Sequence, residues 1–319
     1  MVTLRPRDEL RAALDRMLPN LPWSFAEPRD GSDWSHVEAM LVGSLVREAE
    51  GFDPRATPGL RFVQRIYTGL DGFPFAKFPP AVQIAGNVGA FAPYVAEHAL
   101  ALGLAAARDL HRAEAAIRAG RLRPAPQARL FFEARAVVLG YGEIGRAIAQ
   151  RLAGFGTHVV GLNRSGTPAP GCERMYASSQ LREALSDGDI VFEARPLTKL
   201  TQRSIGAVEL GAMRPQAILV NVGRAGTVDE EALYRHLVDH PAFRAAIDVW
   251  WQEGFADGAL RYRFPFPTLP NFVGTPHSAG FAPPVEAYAL ERSVANLARF
   301  FAGERPRHLV DRSEYPAPR

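Results

Sequence analysis

The sequence predicts an α/β protein made of two parallel-sheet domains. Three observations predict it. Short apolar runs alternate with stretches of helical spacing in two successive series along 319 residues. A G-x-G-x-x-G turn joins an apolar run to an amphipathic stretch at 137–149. The composition, 47% hydrophobic and 22% charged, is that of a globular chain. Alternating strands and helices build a sheet covered on both faces. At ~150 residues per domain the length allows two, each able to bury a core without staples.

Composition also excludes several classes. The single cysteine, Cys172, rules out an internal disulfide framework and a multi-cysteine zinc site. The longest apolar run, 99–107, is half the ~18 residues a membrane span needs, so no membrane is expected. The start (Met1-Val2-Thr3-Leu4-Arg5-Pro6-Arg7-Asp8) is charged and lacks the apolar core of a signal peptide, so a cytoplasmic protein is expected. Net charge is +3, carried almost wholly by arginine, since Lys77 and Lys199 are the two lysines. The arginines are scattered among 34 acids with no zinc-finger or RNP signature, which argues against nucleic acid and fits recognition of anionic small molecules.

In chain order, 8–18 has helical spacing, and 37–42, 60–66 and 82–85 read as buried strands, each followed by a Gly- or Pro-containing turn. A long Ala/Leu helix over 95–111 carries the chain out of this block, and a polar connection at 121–127 leads into the second series. Its strands are expected at 136–139, 158–162, 190–193, 218–221, 245–248 and 272–274. A last helix over 284–301 is placed to pack back on the first block. Two α/β domains with a cleft between them follow.

In the turn at 140–145, Gly140 permits the sharp bend, Gly142 lets backbone approach a pyrophosphate, and Gly145 lets helix and strand pack closely. The helix N-terminus beyond it offers N–H groups and partial positive charge to phosphate. The strand-to-helix context makes this a dinucleotide site. An NAD site usually places Asp or Glu at the end of the next strand, whereas this chain has Asn163, Arg164 and Ser165. Arg164 and Ser165 suit a 2′-phosphate, which favours NADP(H) over NAD(H). Further on, Arg224, Glu253 and His277 each follow an expected strand, at the sheet edge where ligands bind in open α/β folds. The other seven histidines, such as His36, His98 and His158, lack comparable context. Trp250, Trp251, Phe264 and Phe266 read as core or cleft wall, and Asp229-Glu230-Glu231 as a helix start.

Taken together, Val95-Ala96-Glu97-His98, the GYGEIG loop, Pro196-Leu197-Thr198 with Thr201, NVGRAGTVDEEAL, DVWWQE and TPHSAG resemble the D-2-hydroxyacid dehydrogenase family, in the family's order, from about Phe62 to Phe301. The resemblance implies a Rossmann cofactor domain over 99–285, inserted into a flavodoxin-like substrate domain formed by 1–98 and 286–319. It also implies a homodimer. Residue by residue, it makes Arg224, Glu253 and His277 the catalytic set. Substrate-binding residues would be Thr68, Gly69, Leu70, Asn87 and Arg224. Pro196, Thr201, Val222 and Asp248 would join Gly140, Tyr141, Gly142, Glu143, Ile144, Gly145, Asn163, Arg164 and Ser165 at the cofactor.

The chemistry of these residue types agrees with that implication. Reducing a small 2-keto acid such as glyoxylate or hydroxypyruvate needs hydride on the carbonyl carbon and a proton on its oxygen. His277 suits the proton, Glu253 the support of an imidazolium, and Arg224 the substrate carboxylate. The family's proline after the glutamate is Gly254 here, and the loop to His277 is enlarged. Two alternatives share the scaffold. A formate dehydrogenase transfers hydride without a proton and carries Gln at the Glu253 position; an NAD(P)H-sensing corepressor-like protein binds without catalysing.

Overall fold

In the computed structural model, which describes residues 8–24, 34–43, 57–122, 128–254 and 258–315, the chain divides into two units, 1–91 with 282–319, and 92–281. The breaks expected from sequence, after 98 and before 286, fall inside the helices Ala92–Arg108 and Pro283–Phe301. Each helix stays whole, so the divisions shift to the loops before them.

In the first unit, β1 (Ala39–Val42), β2 (Phe62–Arg65) and β3 (Gln83–Ala85) form a parallel sheet in the order β1-β2-β3. Successive strand side chains point to opposite faces, and both faces are used. Ala39, Leu41 and Phe62 pack with Leu10 and Leu14 of the helix Asp8–Met17 and with Leu290, Val294 and Leu297 of the helix Pro283–Phe301. Met40, Val42, Val63 and Ile84 pack instead with Phe73, Phe78 and Val82. A sheet dry on both sides explains why these strands read as continuous apolar runs.

Asn87, expected at the substrate, is 4% exposed, and its Nδ2 donates to Ile66 O, Ala289 O and Ser293 Oγ at 2.9, 2.8 and 3.1 Å. The side chain is turned inward, tying the end of β2 to the C-terminal helix.

The second unit is a seven-stranded, fully parallel sheet. Its strands are β4 (Arg135–Leu139), β5 (His158–Asn163), β6 (Arg174–Ala177), β7 (Ile190–Glu193), β8 (Ile218–Asn221), β9 (Arg244–Ile247) and, after a hairpin of β10 (Gln252–Gly254) and β11 (Ala259–Arg261), β12 (Phe272–Gly274). The spatial order is β12-β9-β8-β7-β4-β5-β6. The chain runs outward from β4 to β6 and then returns to the other side of β4 at β7. The switch point lies between β4 and β7, where open α/β sheets bind ligands beyond the strand ends. Residues 136–139 of β4 have no exposed surface, as expected of a central parallel strand.

Sequence patterning misses β6, β10 and β11. β6 is an edge strand with three of its four residues exposed or half-exposed, and in the sheet order its neighbour is β5. The expected single helix over 95–111 is instead two, Ala92–Arg108 and Leu110–Arg118, separated by Asp109 at φ +56°. The Arg244 guanidinium donates to Ala106 O and Ala107 O at 2.6 and 3.0 Å, and Arg129 N donates to Ala107 O. Those carbonyls are therefore taken by groups outside the helix, which ends the first segment.

Asn87→Ala leaves buried acceptors unpaired and should lower unfolding free energy by about 1–3 kcal/mol. Urea denaturation checks this; an unchanged midpoint would contradict the tie.

Candidate active site

The C-terminal edge of the seven-stranded sheet collects the chemistry. β4 leads directly into the glycine turn. Gly140 has φ +89°, and a Cβ there would lie 2.9 Å from Arg195 N and Cγ. A Cβ at Gly145 would lie 2.2 Å from Gly140 O, so only glycine lets the helix Glu143–Leu152 start this close. A Cβ at Gly142 would meet nothing within 4 Å, so that backbone is open to a ligand. Glycine thus does the three jobs that pyrophosphate binding at a helix N-terminus needs, and the residues present fit a dinucleotide.

Within the turn, Tyr141 is 6% exposed and its hydroxyl donates to Pro170 O at 3.1 Å. Burial and the neighbouring Cys172 thiol push its phenol well above the usual range. Glu143 is exposed and pairs with Arg146 at 2.6 Å; Ile144 is half-buried.

At the end of β5, Asn163 organises the turn. Its Oδ1 accepts from Gly166 N and Ser165 N at 2.7 and 3.2 Å, and its Nδ2 donates to Thr167 O at 2.7 Å. Arg164 and Ser165 are exposed on that turn, and no carboxylate occupies the strand end. After β7, the Thr201 hydroxyl donates to Pro196 O at 2.6 Å, closing the loop 196–201. Val222 N donates to Glu193 O at 3.1 Å, and its side chain is buried.

Arg224, Glu253 and His277 lie beyond the ends of β8, β9 and β12, three adjacent parallel strands. Arg224 is half-buried, and its carbonyl accepts from Thr227 Oγ1 and Asn221 Nδ2 at 2.8 and 3.2 Å. One arm, Nη1, donates to Gly223 O at 2.7 Å. Glu253 sits on the β10–β11 hairpin, the structural form of the enlarged loop; residues 255–257 of it lie outside those described. Its Oε1 accepts from His277 Nδ1 at 2.7 Å and from Trp250 N at 2.8 Å. Because a carboxylate only accepts, Nδ1 carries the proton in this pair.

His277 has φ +54°, a left-handed conformation that a non-glycine residue keeps only when its surroundings enforce it. Asp248 does so. Its carbonyl accepts from His277 N at 2.8 Å, and its carboxylate from Ser278 N, Ala279 N and Thr275 Oγ1 at 2.8, 3.0 and 2.6 Å. Asp248 is 1% exposed. Burial alone would raise its pKa, but hydrogen bonds from His98, Thr275, Ala279 and Ser278 outweigh it and hold the carboxyl below the usual range.

His98, which the sequence reading set aside, belongs to this network. Its Nε2 is 2.9 Å from Thr275 Oγ1 and 3.4 Å from Asp248 Oδ1. The threonine proton goes to Asp248, so His98 Nε2 is the donor to the hydroxyl. Its signal in the sequence is the Val95–His98 motif. The tryptophans are walls and ties: Trp250 Nε1 donates to Thr275 O and Trp251 Nε1 to Val228 O, both at 2.8 Å, and Trp251 stacks on Phe266.

In the first unit, Thr68 Oγ1 donates to Asn87 O at 3.0 Å, and an Arg65 guanidinium nitrogen donates to Gly69 O. Among the described residues, neither Gly69 N nor Leu70 N has a protein acceptor. Two consecutive amide donors are therefore available to an anion.

Residues 100–279 match the family model for the D-isomer specific 2-hydroxyacid dehydrogenase NAD binding domain. A glyoxylate reductase of Thermococcus onnurineus is 32% identical over 286 residues, 86% of this chain and 83% of that protein. A Pyrobaculum aerophilum protein described as a candidate formate dehydrogenase superimposes with a TM-score of 0.84 at 32% identity, covering 99% of each chain. A D-isomer specific 2-hydroxyacid dehydrogenase from Xanthobacter autotrophicus Py2, crystallised with NADPH and MES, superimposes with a TM-score of 0.81 at 29% identity over 97% of each.

Asp248 gives a pH prediction. Its carboxyl is more acidic in the fold than the ~3.9 of an unfolded aspartate, so its contribution is present above about pH 4 and is lost as pH falls toward the depressed value. Asp248→Asn should lower the melting temperature at pH 7 and flatten its fall below about pH 4, read by a calorimetric pH series. Parallel acid limbs in both proteins would contradict this.

Proposed function

Since the chain belongs to the D-isomer specific 2-hydroxyacid dehydrogenase family, we propose that it reduces a small 2-keto acid of the glyoxylate or hydroxypyruvate class, using NADPH in preference to NADH. The observation that carries the reading is the Glu253–His277 pair at 2.7 Å, on the segments that follow β9 and β12, beside β8, whose following turn carries Arg224.

When bound, the nicotinamide supplies hydride to the carbonyl carbon. Everything else falls to the chain. The Arg224 guanidinium binds the substrate carboxylate and polarises the ketone. His277 Nε2 gives its proton to the carbonyl oxygen as the alcohol forms, and Glu253, accepting from Nδ1, fixes the ring and stabilises the imidazolium. The cofactor would be held by the turn Gly140–Gly145, with Pro196, Thr201, Val222 and Asp248 at its nicotinamide half. Arg164 and Ser165 would read a 2′-phosphate. Formate oxidation releases carbon dioxide and requires no proton on a carbonyl oxygen, so a carboxylate-backed imidazole favours the keto acid.

Among the described residues no helix is long and apolar enough to cross a membrane. The homodimer implied by the resemblance is part of the same proposal. Light scattering should then give twice the 34.9 kDa chain mass.

His277→Ala should leave NADPH binding nearly intact while cutting turnover of glyoxylate or hydroxypyruvate by ~10² or more; near-normal turnover removes His277 from the mechanism. Arg224→Ala should lower kcat/KM for keto acids, and an unchanged value removes its role. Arg164→Ala should weaken NADPH selectively, measured by titration against NADH; equal losses for both cofactors contradict 2′-phosphate recognition.

A further inference from the structure

Glu193, at the end of β7, has no exposed surface, and Arg195 is 7% exposed. The Glu193 carboxylate accepts from Arg195 N at 2.8 Å, from Nε at 2.9 Å and from Nη2 at 2.5 Å. A pair this deeply buried stabilises a fold no better than apolar residues of the same volume, because desolvation offsets the Coulomb gain. Its surroundings supply another reason for it. On one side, Arg195 N and Cγ fill the space that a Cβ at Gly140 would need. On the other, Arg195 O lies 2.8 Å from where a Cβ at Gly223 would sit. The Glu193 carbonyl accepts from Val222 N and Gly223 N at 3.1 and 3.0 Å, and Gly223 O in turn receives Arg224 Nη1.

We propose that the Glu193–Arg195 pair is a positioning device that sets the dinucleotide turn at Gly140 and the turn carrying Arg224 at one fixed spacing. The carboxylate binds the backbone and the side chain of the same residue, so segment 193–195 is closed into a rigid ring with Pro196 at its exit. The planar guanidinium fork is what lets one side chain close it; a lysine ammonium is a point charge without that geometry. The part concerning Arg224 rests on the keto-acid reading, whereas the part concerning Gly140 rests only on dinucleotide binding.

Two variants test it: the charge-free Glu193→Leu/Arg195→Met, and Arg195→Lys, which keeps the charge and loses the fork. Four quantities are measured on each: melting temperature, NADPH Kd from cofactor fluorescence, and kcat and KM for glyoxylate at saturating NADPH. The double variant should melt within about 4 °C of the parent, yet bind NADPH about tenfold or more weakly and turn over more slowly. Arg195→Lys should move Kd and kcat in the same direction. A folded variant of either kind with Kd and kcat within twofold of the parent overturns the proposal. So does a double variant that fails to fold, since the pair would then serve the fold itself. If the parent binds NADPH but reduces no keto acid, the proposed reaction fails, and the Kd arm still decides the role at Gly140.

Discussion

A buried carboxylate that reads a single turn is the constraint on which the site depends. Asp248 leaves β9 with its side chain out of water, and that charge is tolerable only because four donors surround it. Three of them, Thr275 Oγ1, Ser278 N and Ala279 N, belong to the segment that follows β12. The carboxylate therefore fixes the path of that segment, and the path forces His277 into its left-handed conformation with Nδ1 on Glu253. Remove the charge, and the strained residue loses what holds it.

Parallel topology does the rest of the assembly. Because all seven strands of the second unit's large sheet run the same way, every loop that follows one of them emerges at one edge. The glycine turn, the Glu193–Arg195 pair, Arg224, Asp248 and His277 are spread over residues 140 to 277, but they need only the ends of β4, β7, β8, β9 and β12 to become neighbours. Chemistry is thereby separated from stability: the inner strands are dry, and the polar groups of the site sit where the backbone leaves the sheet.

Much of this was legible in the chain, and the reasons are specific. β4, β7 and β8 are continuous apolar runs because both faces are covered, and each ends in a polar turn that marks its boundary. The glycine spacing announces the dinucleotide turn, since no other residue can satisfy contacts of 2.2 and 2.9 Å. What escaped was long-range. The helix break at Asp109 depends on Arg244, 135 positions later, taking the carbonyls of Ala106 and Ala107. The inward turn of Asn87 depends on Ser293 and Ala289. His98 gains meaning only when Thr275 and Asp248 arrive beside it. β6 escaped for a local reason, its half-exposed edge position, and the hairpin carrying Glu253 has too few residues per strand to show a period.

A crystal structure of the ternary complex with NADPH and oxamate, an unreactive mimic of a 2-keto acid, tests the central claim most directly. The account predicts the Arg224 guanidinium on the oxamate carboxylate and His277 Nε2 within hydrogen-bond distance of its carbonyl oxygen, with Nδ1 still on Glu253. An oxamate held without either side chain, or an imidazole released from Glu253 and turned from the ligand, would contradict it.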